Sequence, residues 1–246
     1  MDRLIYTAMS GANAAAQRQA VLSNNLANAS TNGFRAELSS FRAVPVRGDG
    51  ASTRVLAVEA TVGHSDTPGA AQRTGRSLDA MAVGNAWFGV QGLDGTEAYT
   101  RSGAFEVAPD GTLQTGSGLS VLSDGGSPIT VPAGAEVSIG FDGNLSAKVG
   151  NQPPSVVGRL KLATPSNDDP LQRGNDGLFR STSGEPLPND ANARVQVGTL
   201  EGSNVNAIET MVGMIQTARQ FETQMRLLQT AESNDRSAGQ LLGLQG

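Results

Sequence analysis

The stretch from Ser203 to Ser237, SNVNAIETMVGMIQTARQFETQMRLLQTAESNDRS, narrows the possible folds of this chain more than any other. It holds no proline and one glycine, Gly213. Met211, Met214, Ala218, Phe221, Met225 and Leu228 recur at alternating steps of three and four. Ile208 extends the stripe and Val212 and Ile215 widen it. That is the period of an amphipathic helix. Ser203 or Asn204 is placed to cap it, and Glu209 lies in an early turn. Glu222–Arg226 and Glu232–Arg236 are acid-before-base pairs four apart, suited to an exposed face. Taken alone, such a stripe fits a helix lying on its own domain's core. The other end of the chain changes that reading. Ile5, Ala8, Ala12, Ala15, Leu22 and Leu26 form a second stripe, interrupted only by Gln19 and rich enough in alanine for a partner helix to approach closely. This predicts a first helix from near Asp2 to about Asn28, with Asn32-Gly33 offering a residue tolerant of positive φ as its stop.

Between the helices the pattern turns to β. Five Asp-Gly pairs, at 94, 110, 124, 142 and 176, punctuate residues 79–197, and tight turns need such residues for positive φ. They separate short apolar runs: Trp87–Gln91, Ala98–Arg101, Phe105–Val107, Thr112–Gln114, Ser120–Leu122, Ile129–Val131, Val137–Ile139, Leu145–Ala147, Val157–Leu162 and Val195–Val197. Residues 36–78 are polar and lack a clear apolar face. Arg54–Val58 is β-like there, and Gly48-Asp49-Gly50 and Pro68-Gly69 are turns. The expected fold class is α+β: a discontinuous N- and C-terminal α-helical coiled-coil domain (1–35 and 200–246), an extended connector with short β pieces (36–78), and an all-β outer domain (79–199) built as an antiparallel sandwich or distorted barrel.

The chemistry-bearing residues are sparse. With no cysteine, disulfides and thiolate metal sites are excluded. A net charge of −5 without a basic cluster argues against nucleic acid and anionic membrane surfaces. No apolar run reaches the length of a membrane span, and the first twenty residues lack the apolar core of a cleavable signal, so no direct membrane insertion is expected. His64, the only histidine, sits beside Ser65 and Asp66, but a catalytic triad needs side chains converging from separate elements, and a solvated loop histidine is expected. Asp168-Asp169 lies in a proline-flanked loop and reads as solvated. The Asp-rich turns lack calcium-loop spacing. No catalytic, metal or cofactor site is expected.

Three blocks of sequence carry a resemblance. They are Asn24-Asn25-Leu26-Ala27-Asn28 with Thr31-Asn32-Gly33-Phe34-Arg35; the run Gly84 to Phe105, with its Tyr-Thr-Arg-x-Gly-x-Phe signature and following Asp110-Gly111-Thr112-Leu113; and Leu200-Glu201-Gly202-Ser203-Asn204-Val205-Asn206 with Met211, Met214-Ile215, Arg219 and Phe221. In that order they resemble the flagellar rod and hook family of axial proteins. Met1 to Met9, Arg42–Val46, Gly158–Leu162 and Gln172–Gly174 with Asp176-Gly177 are similar to its proximal-rod members. Phe88-Gly89 departs from the family, whose members often carry two bulky residues there, and implies looser local packing.

The resemblance implies a non-enzymatic structural subunit of the drive shaft that crosses the periplasm. Terminal helices would form an inner coiled-coil layer lining an export channel, with the β domain outside. Its implied partners are copies of itself, other proximal-rod subunits and the distal rod protein. The flagellar type III export apparatus would be its route out, without a cleaved signal. The residues expected at the assembly interface are Ile5, Ala8, Ala12, Leu22, Asn25, Leu26, Asn28, Thr31, Gly33, Phe34, Leu200, Glu201, Asn204, Val205, Met211, Ile215, Phe221, Met225 and Leu228. Alternatives are a distal-rod or hook-like subunit, a β-rich peptidoglycan hydrolase, which would need a carboxylate pair or a metal site, and a coiled-coil-tailed adhesin.

Overall fold

The computed structural model describes residues 2–45 and 55–243. Within them the chain is α+β, with a helix at each end and a β-rich middle. It divides into two compact units, one of Met1–Ala29, Ala36–Ser65 and Val205–Gly246, the other of Ser30–Arg35 and Asp66–Asn204. The expected turn at Gly48-Asp49-Gly50 lies outside the described residues, as do Val46, Arg54 and 244–246.

The first unit holds α1 (Asp2–Ala27), β1 (Glu37–Pro45), β2 (Val55–His64) and α2 (Ala207–Gly243). Helix α1 stops through its asparagines: the Asn28 backbone N–H and Nδ2 both donate to the Asn24 carbonyl, at 3.2 and 2.9 Å. Gly33 does have positive φ, +71°, but lies six residues beyond the helix end and serves a different purpose. The cap of α2 is Asn206, whose Oδ1 accepts from the N–H groups of Ile208 and Glu209 at 3.1 and 3.3 Å. The expected cap Asn204 instead donates its amide to the Thr67 carbonyl. The helices run antiparallel, with Gly213 against Leu22 and Gly11 against Gln224. Strands β1 and β2 pair antiparallel, with a bulge at Leu38/Ser39, and lie against α1, where Ser10 Oγ donates to the Ala57 carbonyl at 2.8 Å. His64 is not in a loop: it closes β2 opposite Glu37 and is half-buried, because the strand runs further than its polar composition suggested.

The second unit holds β3 (Ala71–Arg73), β4 (Ala80–Ala82), β5 (Trp87–Gln91), β6 (Glu97–Thr100), β7 (Phe105–Val107), β8 (Leu113–Thr115), β9 (Glu136–Ile139), β10 (Asn144–Lys148), β11 (Ser155–Arg159), β12 (Leu162–Ala163), β13 (Leu171–Arg173), β14 (Phe179–Ser181), β15 (Val195–Val197) and β16 (Thr199–Glu201). One sheet has the order β12-β5-β6-β14-β13 and another β11-β10-β9, with ribbons β15-β4, β16-β3 and β7-β8. Among the described residues no sheet closes on itself, so the distorted barrel is not realised. Strands this short, each ended by a turn, cannot carry the continuous stagger that closure requires.

The Asp-Gly turns share a mechanism. At Asp94, Asp110, Asp142 and Asp176 the following glycine has φ between +78° and +87°. Its N–H closes onto the carbonyl three residues back, and the Asp Oδ1 accepts the N–H two residues on. The carboxylates thus shape turns. At Asp124-Gly125 the left-handed residue is Gly126, one later.

Strand β5 is buried on both faces. Phe88 meets Phe105 edge-on, with centroids 5.1 Å apart, in a core that includes Leu113, Leu145, Leu160 and Leu162. Trp87 points the other way, 4.6 Å from Phe179, beside Tyr99 and Leu171. Full burial of each such side chain stabilises the fold by about 1.5–3 kcal/mol. The expected looseness at Gly89 is absent: the Lys161 stem passes where a Cβ would stand, at 3.1–3.2 Å, and its Nζ pairs with Glu97 at 2.7 Å.

Candidate assembly site

In the first unit the buried seam between the helices is made of small residues. Ala8, Ala12 and Ala15 of α1, and Thr210, Thr217 and Ala231 of α2, are all buried. Thr210 and Thr217 turn their hydroxyls onto carbonyls four residues back within the helix, at 2.8 Å, and so enter the seam without an unpaired polar atom. The bulky stripe read from the sequence is centred roughly 70° round the helix from this seam, at 3.6 residues per turn. It remains open: Met211 is 48% exposed, Ile215 55%, Phe221 40% and Met225 39%. Ile208, Val212 and Leu227 are exposed too, as are Tyr6 and Met9 on α1. Beside the seam, Ala15, Ala16, Gln19, Ala218 and Phe221 line a groove of about 400 Å³. Buried alanines bring the backbones together while the large apolar side chains stay outside.

Asn25 is a special residue in α1. Its Nδ2 donates to the Glu37 carbonyl and its Oδ1 accepts the Glu37 N–H, both at 2.9 Å, so its amide pairs with the first residue of β1 as a neighbouring strand would. Leu22, Leu26, Ile5, Val205 and Leu228 are partly buried, and Asn28 is part of the helix stop.

In the second unit the three sequence blocks converge on one buried carboxylate. Glu201, 1% exposed, receives Arg35 Nη2 on Oε1 and Arg101 Nε on Oε2, each at 2.8 Å. The Gly69 N–H also donates to Oε1, at 3.0 Å. Other guanidinium donors go to carbonyls, Arg35 Nη1 to Thr67 and Arg101 Nη1 and Nη2 to Ala86 and Gly84, while Arg35 Nε is buried without a hydrogen-bond acceptor. Both guanidinium carbons lie within 6 Å of the Trp87 ring centroid, at 5.9 and 5.6 Å. Burial pushes the Arg35 guanidinium below its ordinary value, against the opposing pull of Glu201.

Around this pair the backbone closes. The Gly33 N–H donates to the Glu201 carbonyl at 2.7 Å, and the Asn204 N–H to the Phe34 carbonyl at 3.3 Å. Gly33 is required twice over: its φ is positive, and a Cβ would stand 2.3 Å from the Arg101 carbonyl carbon and the Ser102 nitrogen. Gly103 is as constrained, since a Cβ there would lie 1.7 Å from the Ala80 carbonyl oxygen. Phe34 is buried beneath the Arg173 guanidinium, 4.4 Å from its centroid, and Leu200 is buried in β16, while Thr31 is exposed.

The expected interface residues therefore fall into groups: an exposed set on α2, a small-residue seam, and a buried set around Glu201. Arg35, Arg101 and Trp87 complete the last set and were not singled out from sequence. The available signal was one arginine in each of two motif blocks with an acid in the third. Among the described residues no group of three or more His, Cys, Asp or Glu side chains is placed to hold a metal ion. No described helix is long and apolar enough to cross a membrane. Asp169, expected to be solvated, accepts from both Ser181 and Ser183, which hold its carboxyl below the ordinary value and organise its loop.

Comparison with known proteins finds three matches along the chain. Residues 5–35 match the family described as flagella basal body rod protein, residues 81–147 the flagellar hook protein FlgE/F/G D1 domain, and residues 196–241 the flagellar basal body rod FlgEFG protein C-terminal. The chain is 45% identical to the flagellar basal-body rod protein FlgF of Salmonella typhimurium and to that of Escherichia coli, over 99% of this chain and 100% of each relative. It is 32% identical to FlgF of Caulobacter vibrioides over 99% of both chains.

Proposed function

Because the chain belongs to the flagellar basal-body rod protein family and is a structural subunit of the rod, we propose that it assembles through its terminal helices in the proximal rod, as part of an inner coiled-coil layer around the export channel. This gives it no reaction to catalyse. Its partners are copies of itself and neighbouring proximal and distal rod subunits, its place is the periplasmic part of the shaft, and its route there is the flagellar export apparatus.

One observation carries the reading: the helix pair buries Ala8, Ala12, Ala15 and Ala231 and leaves Met211, Ile215, Phe221 and Met225 about half exposed. A contiguous apolar surface of this kind marks an association site. The seam alone also gives little burial to offset the ordering of two long segments, so the pair is the marginal part of the chain and is completed by its neighbours. In a helical shaft those contacts are heterologous and non-closing. Met211 and Met225 suit non-identical neighbours, since methionine fills irregular gaps. The β1–β2 hairpin, with Phe41, Val44, Val55 and Val58 exposed, is a further contact in this scheme.

A photo-crosslinking residue at Ile215, compared with one at the buried Thr217, tests the reading in motile cells. Adducts with this chain or other rod subunits from position 215, and few from 217, are expected. No rod-protein adduct from 215 would refute it.

A further inference from the structure

Residues 194–204 come last in the second unit yet bond to its earliest segments, 30–35 and 66–83. Strand β16 pairs with β3 and β15 with β4, each across more than a hundred residues. Thr74 and Gly75 both donate their N–H groups to the Gly198 carbonyl, at 2.9 and 3.1 Å. The Gly202 N–H goes to the Ala70 carbonyl at 2.9 Å, and the Gly198 N–H to that of Asp79 at 2.7 Å. Together with the Gly33–Glu201, Gly69–Glu201 and Asn204–Phe34 bonds, they make residues 194–204 a strap shared by both segments.

The strap has little apolar surface to draw it in early. Val195 and Leu200 are its buried apolar side chains, and its closest crossings are bare backbone. A Cβ on Gly69 would stand 1.9 Å from the Gly202 carbonyl oxygen, and one on Gly198 would stand 3.5 Å from the Gly75 Cα. The pairings β5-β6, β7-β8, β9-β10-β11 and β13-β14, by contrast, join neighbours in sequence and line the two apolar cores. Local pairs close short loops, whereas the strap closes loops of more than a hundred residues, so the hairpins form first.

Charge makes the strap necessary as well as late. Arg35 and Arg101 are 3% and 2% exposed, and among the described residues Glu201 is the carboxylate that ion-pairs with both. Burial lowers the Arg35 pKa most, Glu201 opposes that, the Arg101 charge adds to the lowering, and Asp66 supplies the weakest pull back. Without the strap, seating Arg35 beside Arg101 would bury two cations that repel each other with no acid between them. An uncompensated buried charge of this kind is strongly unfavourable.

We infer that residues 194–204 are a closing strap for the β-rich unit: segments 30–35 and 66–83 take their places only when the strap arrives, and the Glu201 carboxylate is the charge that permits it. Chain order then matters. A chain still lacking the strap holds a core of hairpins with its first segments unseated, and a chain present to Asn204 completes the unit. This inference concerns the second unit alone and stands apart from the assembly reading.

Hydrogen exchange on the full chain tests it in two ways. In the first, the parent chain refolds from urea and is pulse-labelled, with protection read by peptide. Peptides covering β5 to β8 are expected to become protected first, and those covering 30–35, 66–76 and 194–204 to follow together about tenfold more slowly. Protection of 30–35 or 66–76 ahead of 194–204, or of all segments in one phase, overturns the inference. In the second, Glu201→Gln is compared with the parent under native conditions. The same three segments are expected to lose about 100-fold or more of their protection together, while β5 to β8 keep slow exchange. Segments that stay protected in the variant remove the role given to Glu201. Collapse of protection across β5 to β8 as well overturns the separation of the hairpin core from its strap. The refolding experiment needs no variant, so it decides the matter even where Glu201→Gln does not fold.

Discussion

Phe221→Ala separates the two environments this side chain is asked to serve. In the isolated chain Phe221 is 40% exposed, beside the α1–α2 groove. Full burial would put the cost of Phe→Ala at about 3–5 kcal/mol, and the observed burial scales that to about 2–3 kcal/mol for the helical unit. The exposed part is the share reserved for a neighbour. A phenylalanine buries about 150–250 Å², so two-fifths of it is about 80 Å², worth about 2 kcal/mol per docking event at 25 cal/mol per Å². That corresponds to a loss of about 30-fold in affinity for the growing rod. The assay co-expresses the variant with the parent chain and measures their ratio in purified basal bodies and in the exported pool. Depletion of the variant from basal bodies by about 30-fold or more is expected, with Phe221→Leu close to the parent and the melting of the β-rich unit unaltered in both. Incorporation of Phe221→Ala at the parent's level would refute the assignment of this face to assembly.

Other expectations follow from the same geometry. Gly33→Ala places a Cβ 2.3 Å from backbone atoms of Arg101 and Ser102 at a φ of +71°, so the β-rich unit should lose about 3 kcal/mol or more by urea denaturation; a loss below about 1 kcal/mol would show that the turn relaxes freely. Asn206→Ala removes the acceptor for two N–H groups at the start of α2 and should cost that helix about 1 kcal/mol by circular dichroism, with Asn206→Asp near neutral; equal losses in both would refute the cap. Asp176 is held below the ordinary carboxylate value by its hydrogen bond to Arg180, and Asp190 by its bond from Thr164. The unfolded chain therefore takes up protons first as acid is added. The stabilisation is complete above about pH 4 and drains as pH falls through the lower folded values. The urea midpoint of the β-rich unit should fall below about pH 4, less steeply in Asp176→Asn; an unchanged slope in that variant would remove the Asp176–Arg180 pair as a contributor.

Much of this fold is legible in the sequence because its signals are local. The 3/4 stripes placed both helices, and the Asp-Gly pairs with intervening apolar runs located β5, β7, β9 and β10 closely. What escaped reading depends on distance along the chain or on the identity of a partner. The buried face of α2 is one case. A periodicity argument follows the largest apolar side chains, whereas Thr210, Gly213 and Thr217 win the seam by being small, and no local signal marks smallness as contact. Strands β3 and β16 pair across more than a hundred residues, Ala71 with Glu201, and neither has three apolar residues in a row. Strands β1 and β2 read as a connector because Leu38, Phe41, Val44, Val55 and Val58 remain exposed, so burial imposes no clean alternation. The carboxylate at Glu201 was visible as a motif residue, but its two arginines are 100 and 166 positions away, and only the folded chain shows that one acid pairs with both.

The central claim is that the helical ends are completed by assembly whereas the β-rich unit stands by itself. Peptide-resolved hydrogen exchange on the purified monomer, repeated after adding neighbouring rod subunits, addresses it most directly. The account predicts fast exchange across α1 and α2 in the monomer, slow exchange across β4 to β16, and protection of both helices once neighbours are present. Strong protection of α1 and α2 in the monomer, unchanged by the addition of rod subunits, would contradict it.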